Sequence, residues 1–373
     1  MIETNPGVRL RPPSPLTDGR WVAENLLTRE RFALALPGAM LLIACLKAQP
    51  RREAVAAVCG RLLLPEAQID HLVDTLHAQG LLRGDDRDAS NASGNNETME
   101  WSRALRARWW ARGWGHAAEY HLLTYDYPFL DYSSGDAVQT DLDMMARYGE
   151  ADADVQRYTR YPEAPWLPGP AVSAALAPAP IADSWADAAP ADALSTDTLL
   201  AILSLACGQT GEIRTAAPGA APLLFRTSPS GGARHPTETY VLALRVDDLA
   251  PGWYHARVDQ PGLEAVAPAP AAAELCGLRA ALDAPPEFAP AAFVLLTTVF
   301  ERNMYRYREP RTYRAVHLDA GHLAATLELL ARAFGVAAVI GCCLADAAAE
   351  AQLSLDPLAE GPMLVLALGG HGS

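Results

Sequence analysis

The sequence predicts an α+β protein, with a small helical module followed by a larger domain in which strands and helices form layers. Three observations carry this. Residues 37–82 hold three short helical segments separated by turn signals. Residues 195–373 alternate apolar runs of strand length with helical periodicity. Between the halves, 164–194 is an Ala/Pro/Asp stretch whose repeated prolines forbid a continuous helix, so it reads as an extended linker.

In the N-terminal module, Pro37 opens a helix containing Met40, Leu41, Ile43, Ala44 and Leu46, and a second covers 53–63. The third, 66–79, carries Ile69, Leu72, Val73 and Leu76 on one face. Gly80 ends it, and Leu81 folds back. Three short helices suggest a winged-helix-like docking module, assigned to residues 1–88. Glu66, Asp70 and Asp74 on the third helix would repel phosphates, which argues against DNA and for a protein or peptide partner. Residues 90–98 (SNASGNNET) read as a flexible loop. In 101–121, Trp101, Trp109, Trp110 and Trp114 stand among arginines, as on an amphipathic helix docked on its own domain with its arginines solvated. The tyrosine- and acid-rich remainder of 99–163 reads as a bridging region.

In the second half, a helix over 195–207 precedes a Gly-rich turn at 208–211. A strand begins at Tyr240, and 252–259 pairs with 263–267 as a hairpin. An Ala/Leu helix is expected over 271–282. Residues 292–300 form a strand apolar on both faces. Val316, Ala320, Leu323, Leu327, Leu330 and Phe334 mark one face of a long helix stopped by Gly335. Residues 336–344 and 362–368 add two buried strands.

The chain has 373 residues, 50% hydrophobic, with net charge −14 and pI about 5.1. That length suits two domains, and that charge does not suit nucleic acid or anionic membrane. There are 29 arginines and a single lysine, Lys47, so no later residue can serve as a P-loop lysine or form a Schiff base. Six cysteines include no CxxC pair, so no structural zinc site is expected. Cys342 and Cys343 read as buried small residues of a strand. The N-terminus lacks a basic segment followed by an apolar one, and no run of 18 apolar residues occurs. The expectation is a cytoplasmic protein without a membrane span.

The stretch with the most chemistry is 226–236, RTSPSGGARHP. Ser228 and Ser230 supply hydroxyls. Gly231 and Gly232 allow close backbone approach, and Arg226 and Arg234 fix positive charge. Such a loop suits an anion on a flat cofactor; the competing assignment is a surface turn feeding a strand.

Four features in order then become recognisable: RTSPSGGARHP; Gly252-Trp253-Tyr254-His255; Tyr305-Arg306-Tyr307 followed by RTYR at 311–314 and DAGH at 319–322; and the tail from Glu360-Gly361-Pro362 to Gly369. Together, across 195–373, they resemble the SagB-type dehydrogenases, nitroreductase-like flavin enzymes that oxidise azoline rings to azoles in ribosomally made peptides. The resemblance implies a mixed sheet flanked by helices and FMN at the interface of a homodimer. It implies a modified precursor peptide as substrate and a cyclodehydratase as a further partner. By motif position, Arg226, Ser228, Pro229, Ser230, Gly231 and Gly232 would hold FMN, and Gly341 lies in a loop that passes near it.

Relatives usually carry Lys-Tyr where this chain has Arg306-Tyr307. Arginine keeps its proton, so Arg306 cannot be a base. Its expected role is to stabilise anionic charge or lower the pKa of Tyr307, the candidate acid/base. Ala325-Thr326 replaces a frequent Gln-Asn pair, which would remove a polar contact near the cofactor. His317 and His322 fit packing or capping roles. The competing functions are a flavin-dependent NAD(P)H reductase of a small molecule and a non-catalytic docking partner of the same fold.

Overall fold

The computed structural model describes residues 1–84, 92–152, 155–169, 194–214, 222–271, 278, 282, 286 and 288–371, with the backbone alone at 92–99 and 370–371. The chain forms two compact units, Met1–Phe129 and Leu130–Ser373.

The first unit begins with β1 (Ile2–Thr4) and the antiparallel meander β2 (Val8–Arg11), β3 (Trp21–Asn25) and β4 (Arg31–Leu34). Helices α1 (Leu36–Ala44), α2 (Arg51–Leu62) and α3 (Glu66–Ala78) follow, and β5 (Leu82–Gly84) pairs antiparallel with β1. Leu41, Leu42, Val55, Val58, Ile69, Val73 and Leu76 interlock as its core. The end of α3 is as expected. The Leu81 amide bonds to the Leu76 carbonyl and the Gly80 amide to that of His77, both at 2.9 Å, with Gly80 at φ +66. Asp70 and Asp74 are not displayed toward a partner but hold Arg51 of α2 at 2.7 and 2.8 Å.

The strands before α1 were not anticipated. Their alternation is carried by Val8, Leu10 and Ala23 against Arg9, Arg11 and Glu24, and those charges turn to one another. Glu24, 2% exposed, takes Arg9 at 2.5 Å and Arg31 at 3.0 Å. Burial pushes its carboxyl up, but the two arginine hydrogen bonds outweigh this and hold it low.

Helix α4 (Ala92–Trp110) begins inside the segment read as a loop, and α5 (Gly115–Thr124) follows. Docking on the first strands overrides the weak helix propensity of the Ser/Asn/Gly run. Two of the α4 arginines are engaged by protein, while Arg108 is exposed as expected. Arg103 pairs with Glu3 at 2.5 Å, and Arg106 bonds to the carbonyls of Pro6 and Val8 and to Glu119.

In the second unit α6 (Ala137–Ala151) precedes β6 (Trp166–Pro168), the only element described within the expected linker; 170–193 lies outside the described residues. Then come β7 (Leu194–Ser195), α7 (Thr196–Cys207), β8 (Gln209–Ile213) and β9 (Leu223–Arg226). Ser195 caps α7, its hydroxyl accepting the Thr198 amide at 3.2 Å. The expected Gly-rich turn is instead β8, which pairs with β9. The chain continues through β10 (Thr237–Ala243), β11 (Val246–Asp247), β12 (Gly252–Ala256), β13 (Gly262–Pro268), β14 (Ala292–Val299), the short α8 (Glu301–Met304), α9 (Thr312–Ala333), β15 (Val336–Gly341), α10 (Asp346–Leu353) and β16 (Glu360–His371). The helix expected over 271–282 lies almost wholly outside the described residues.

The main sheet runs β15-β16-β14-β10-β12-β13-β6, antiparallel at every described pairing; parallel pairing is confined to β7 and β11. Strands β10, β14 and β16 are covered on both faces. Val241, Val294, Leu296 and Leu366 meet Leu199 and Ile202 of α7 and Leu323 and Leu327 of α9. On the other face Tyr240, Leu242, Phe293, Leu295 and Val365 meet Trp253 and Ala349. Strand β15 stops at Gly341, where its ladder with β16 ends at Val365. Cys342 and Cys343 therefore lie beyond the strand and are exposed, not buried within it.

Candidate functional site

The RTSPSGGARHP loop leaves β9 at Arg226 and enters β10 at Thr237, so both ends are fixed by sheet pairing. Three positive-φ residues bend it: Gly232 at φ +61, Ala233 at φ +51 and, past Arg234, His235 at φ +45. Two of these are left-handed without being glycine, a costly arrangement that persists only when surroundings enforce it. Here the Ser230 carbonyl takes the Ala233 amide at 3.0 Å and the Ser230 hydroxyl takes the His235 amide at 2.8 Å.

The two serines are engaged by protein. Ser230 donates its hydroxyl to Asp319 of α9 at 2.7 Å, and the Gly231 amide donates to the same carboxylate at 3.3 Å. Burial raises the Asp319 pKa against these donors. Ser228 donates to Thr326 at 2.7 Å. Thr326 of the Ala325-Thr326 pair is thus engaged by the loop itself. His317 accepts no ligand-like position; its Nδ1 meets the Tyr313 carbonyl at 2.8 Å and its ring stacks edge-on against Tyr313.

Arg226 behaves differently. Its two terminal nitrogens donate to the carbonyls of Thr237 and Arg157 at 3.3 and 3.2 Å, its Nε is enclosed without a partner, and it makes no ion pair among the described residues. Burial lowers its pKa to about 10, against the pull of Glu238. The neighbouring Thr237 hydroxyl is also enclosed and unpaired. His235 is held neutral, its pKa lowered to about 3 by burial and then by Arg226. These groups, with Pro229, Ser230, Asp319 and Leu323, line a cleft of about 10 Å³. That is room for about one water, not for an aromatic ring.

Beneath the loop lies a buried polar network that sequence reasoning missed. Strand register places Glu238, His255 and Glu264 on one face of β10, β12 and β13. His255, fully buried, has Glu238 at 3.0 Å on Nε2 and Glu264 at 2.9 Å on Nδ1. Arg302 of α8 closes on Glu238 at 2.5 Å. Burial opposes the charge on His255, but the two glutamates outweigh it and raise its pKa to about 9. Glu238 is held well below the usual range, Arg302 and His255 overcoming its burial. The available signal was a glutamate in each of two otherwise strand-like runs, flanking the quoted Gly252–His255 motif.

Tyr307 follows α8 and reaches the loop. A methyl group on Gly232 would overlap the Tyr307 hydroxyl, so glycine is required there both for its φ and for this approach. Arg306 stacks over the Tyr307 ring at 5.0 Å and pairs with Asp141 of α6 at 2.5 Å. Burial raises the Tyr307 pKa, outweighing the opposing charges of Arg306 and Arg234. The expected lowering by Arg306 is present but does not prevail. Arg234 is buried, bonds to the Arg302 carbonyl and lies over Tyr305. Gly341 is not brought to the loop within one chain. Its ladder runs Gly341, Val365, Leu295, Tyr240 across three strand spacings, roughly 14 Å.

The residues present offer a flavin Arg226 and the unpaired Thr237 hydroxyl, while Ser228, Ser230 and the Gly231 amide hold the loop in shape. One chain does not enclose the ring.

The nitroreductase family model matches residues 189–370. The trifolitoxin-processing protein TfxB of Rhizobium leguminosarum bv. trifolii is 29% identical over 266 residues, covering 68% of this chain and 70% of that protein. A nitroreductase structure from Anabaena variabilis aligns at 22% identity and TM-score 0.44, over 60% of this chain and 46% of that one. A chain of the E. coli microcin synthetase McbBCD complex with truncated pro-MccB17 bound aligns at 18% identity and TM-score 0.41, over 63% of this chain and 94% of that one.

Proposed function

We propose that this chain, whose residues 189–370 match the nitroreductase family, is an oxidoreductase of peptide maturation, an FMN-dependent dehydrogenase oxidising azoline rings to azoles in a precursor peptide. The observation that carries the proposal is the position of Tyr307, its hydroxyl against Gly232 of the loop suited to the flavin. The similarity to TfxB extends over more residues than the family domain contains, which supports a peptide-processing role over a stand-alone reductase.

In this proposal Arg226 would donate to the flavin, Pro229 would pack on it, and Gly231 and Gly232 would let the backbone approach. Ser228 and Ser230 hold that backbone through Thr326 and Asp319. A bound FMN would supply the hydride acceptor for oxidation of the azoline ring. Tyr307, once its phenol has lost its own proton to solvent, would take the accompanying proton on its phenolate oxygen. Because burial raises its pKa, the phenol is protonated at rest, and the charges of Arg306 and Arg234 favour its ionised form. Activity is expected to climb with pH above neutrality.

A second copy of the chain would complete the flavin site. The cleft beside Arg226 is too small for a ring, and Leu318 exposes 61% of its surface on α9. Gly341 would then approach the flavin from that copy. The first unit would dock the precursor peptide or a partner cyclodehydratase. No described helix is long and apolar enough to cross a membrane.

The test is incubation of the purified protein with an azoline-bearing precursor peptide, followed by mass. Loss of two hydrogens per ring, with a flavin absorption spectrum in the protein, is the expected result. A flavin bleached by NADPH without peptide oxidation would point to a small-molecule reductase. A bound flavin inert to both would point to a docking partner.

A further inference from the structure

Tyr307 has two sides. One meets Gly232; the other is a wall of a cavity of about 550 Å³ formed by the chain from Phe300 to Val316 together with Leu358. Its lining is mainly apolar: Phe300, Met304, Pro310, Tyr313, Val316 and Leu358. Asn303 is the exception. It is 1% exposed, lines the same cavity, and neither its amide nitrogen nor its amide oxygen has a partner. A buried primary amide with donor and acceptor both unpaired is costly, and calls for a partner outside the chain, a ligand or an ordered water.

The charged residues at the cavity are already committed. Arg308 pairs with Asp152 at 2.5 Å and lies over the Tyr148 ring at 4.1 Å. Glu309 accepts the Thr312 hydroxyl. The cavity therefore offers an occupant apolar surface and one amide, and no free charge. Its volume exceeds one side chain and falls in the range of small-ligand sites.

We propose that this cavity receives the peptide residue next to the ring being oxidised, that it selects an uncharged apolar or aromatic side chain there, and that Asn303 pairs with that residue's peptide bond. A peptide bond presents one N–H and one C=O, the complement of the two unpaired groups of Asn303. Tyr307 as shared wall would place such a residue directly beside the proton acceptor. The proposal rests on the peptide-oxidising function above and adds the specificity-determining surface.

The experiment uses the full-length holoprotein and two fluorescently labelled azoline peptides that differ only in the residue flanking the ring, Phe or Asp. Equilibrium binding is read by anisotropy, which needs no turnover. Wild type should bind the Phe peptide at least tenfold more tightly. Asn303→Ala should weaken the Phe peptide about tenfold. Val316→Trp, which fills the cavity, should collapse the Phe/Asp ratio toward one with the flavin spectrum retained, so a folding failure of one variant leaves the other decisive. Turnover on the same peptides separates the two proposals, since absent oxidation with a retained Phe preference sinks only the dehydrogenase function. Equal binding of the two peptides by wild type overturns the pocket. So does a Val316→Trp protein that keeps the full preference while losing self-association, which would assign the cavity to a contact between copies.

Discussion

Two polar regions lie a few residues apart and are finished to different degrees. In the Glu238–His255–Glu264–Arg302 network every charge has an opposite partner between 2.5 and 3.0 Å and almost no exposure. Around the loop and Tyr307, the Arg226 Nε, the Thr237 hydroxyl and both amide atoms of Asn303 have none. Closed buried networks hold a fold in one arrangement; open ones hold groups ready for something outside the chain. The difference separates scaffold from site more clearly than charge or burial does, since both regions are charged and both are enclosed.

The largest effect should come from breaking the closed network. Glu238→Ala strands Arg302 and His255 without their shared counter-ion, and losing one partner of a buried pair costs about 3–5 kcal/mol. Chemical denaturation should register that loss. A change under 1 kcal/mol would mean the network is wet and the contrast is overdrawn.

The same network has a pH window. His255 is raised to about 9 from an ordinary value near 6.5, so its contribution is complete below pH 6.5 and fades as pH rises through about 9. Glu238 and Glu264 are lowered, so theirs is complete above the ordinary carboxylate range and fades on acidification. His235, lowered to about 3, is neutral when folded and costs stability as pH falls below about 6.5. Melting temperature should peak near pH 6 and fall on both sides. His255→Gln should flatten the alkaline fall while lowering the peak.

The open region answers in function. Tyr307→Phe keeps the ring against Gly232 and removes the proton acceptor, so kcat should fall about 10²-fold with melting unchanged. Arg226→Met removes a buried cation with no ion pair to lose, so flavin should bind roughly 10–100-fold more weakly, read by fluorescence titration, with little loss of apoprotein stability.

Much of this was legible in the chain because period and punctuation survive folding. The α3 terminus followed from Gly80 and Leu81, and the α9 face from Val316 through Leu327. The double-sided burial of β14 followed from its unbroken apolar run. What was not legible depends on register or on distant partners. Strands β2 to β4 interrupt their apolar residues with Arg9, Arg11, Glu24 and Arg31, charges that only cross-strand arginine–glutamate pairing accommodates. Helix α4 starts in a Ser/Asn/Gly run because its arginines find Glu3 and Glu119. Of the site, Arg226 through Gly232 and Tyr307 were visible as residue types. That Ser230 and Gly231 serve Asp319, that Glu238 meets His255, and that Asn303 is unpaired are facts of three-dimensional adjacency.

The smallest effect sharpens the comparison most, because it falls between the two regions. Asp141 of α6 holds Arg306 at 2.5 Å, with both side chains about one-fifth exposed, and Arg306 lies over Tyr307. If the pair belonged to the scaffold, Asp141→Asn would lower stability and leave the chemistry alone. If it belongs to the site, it acts as a positioning contact that fixes Arg306 over the phenol. An exposed or half-exposed ion pair contributes about 0.2–1 kcal/mol, so kcat should fall only about two- to fivefold. The diagnostic is the pH profile. Freed from its carboxylate, Arg306 stacks less often and the ionised phenol loses part of its support; losing the upward push of Asp141 itself opposes this but is the smaller effect, so the alkaline rise in kcat should move to higher pH. Asp141→Glu should restore most of that shift. An unmoved profile with a lower melting temperature would place Asp141 with the scaffold, and the boundary between the regions would run between Arg306 and Tyr307.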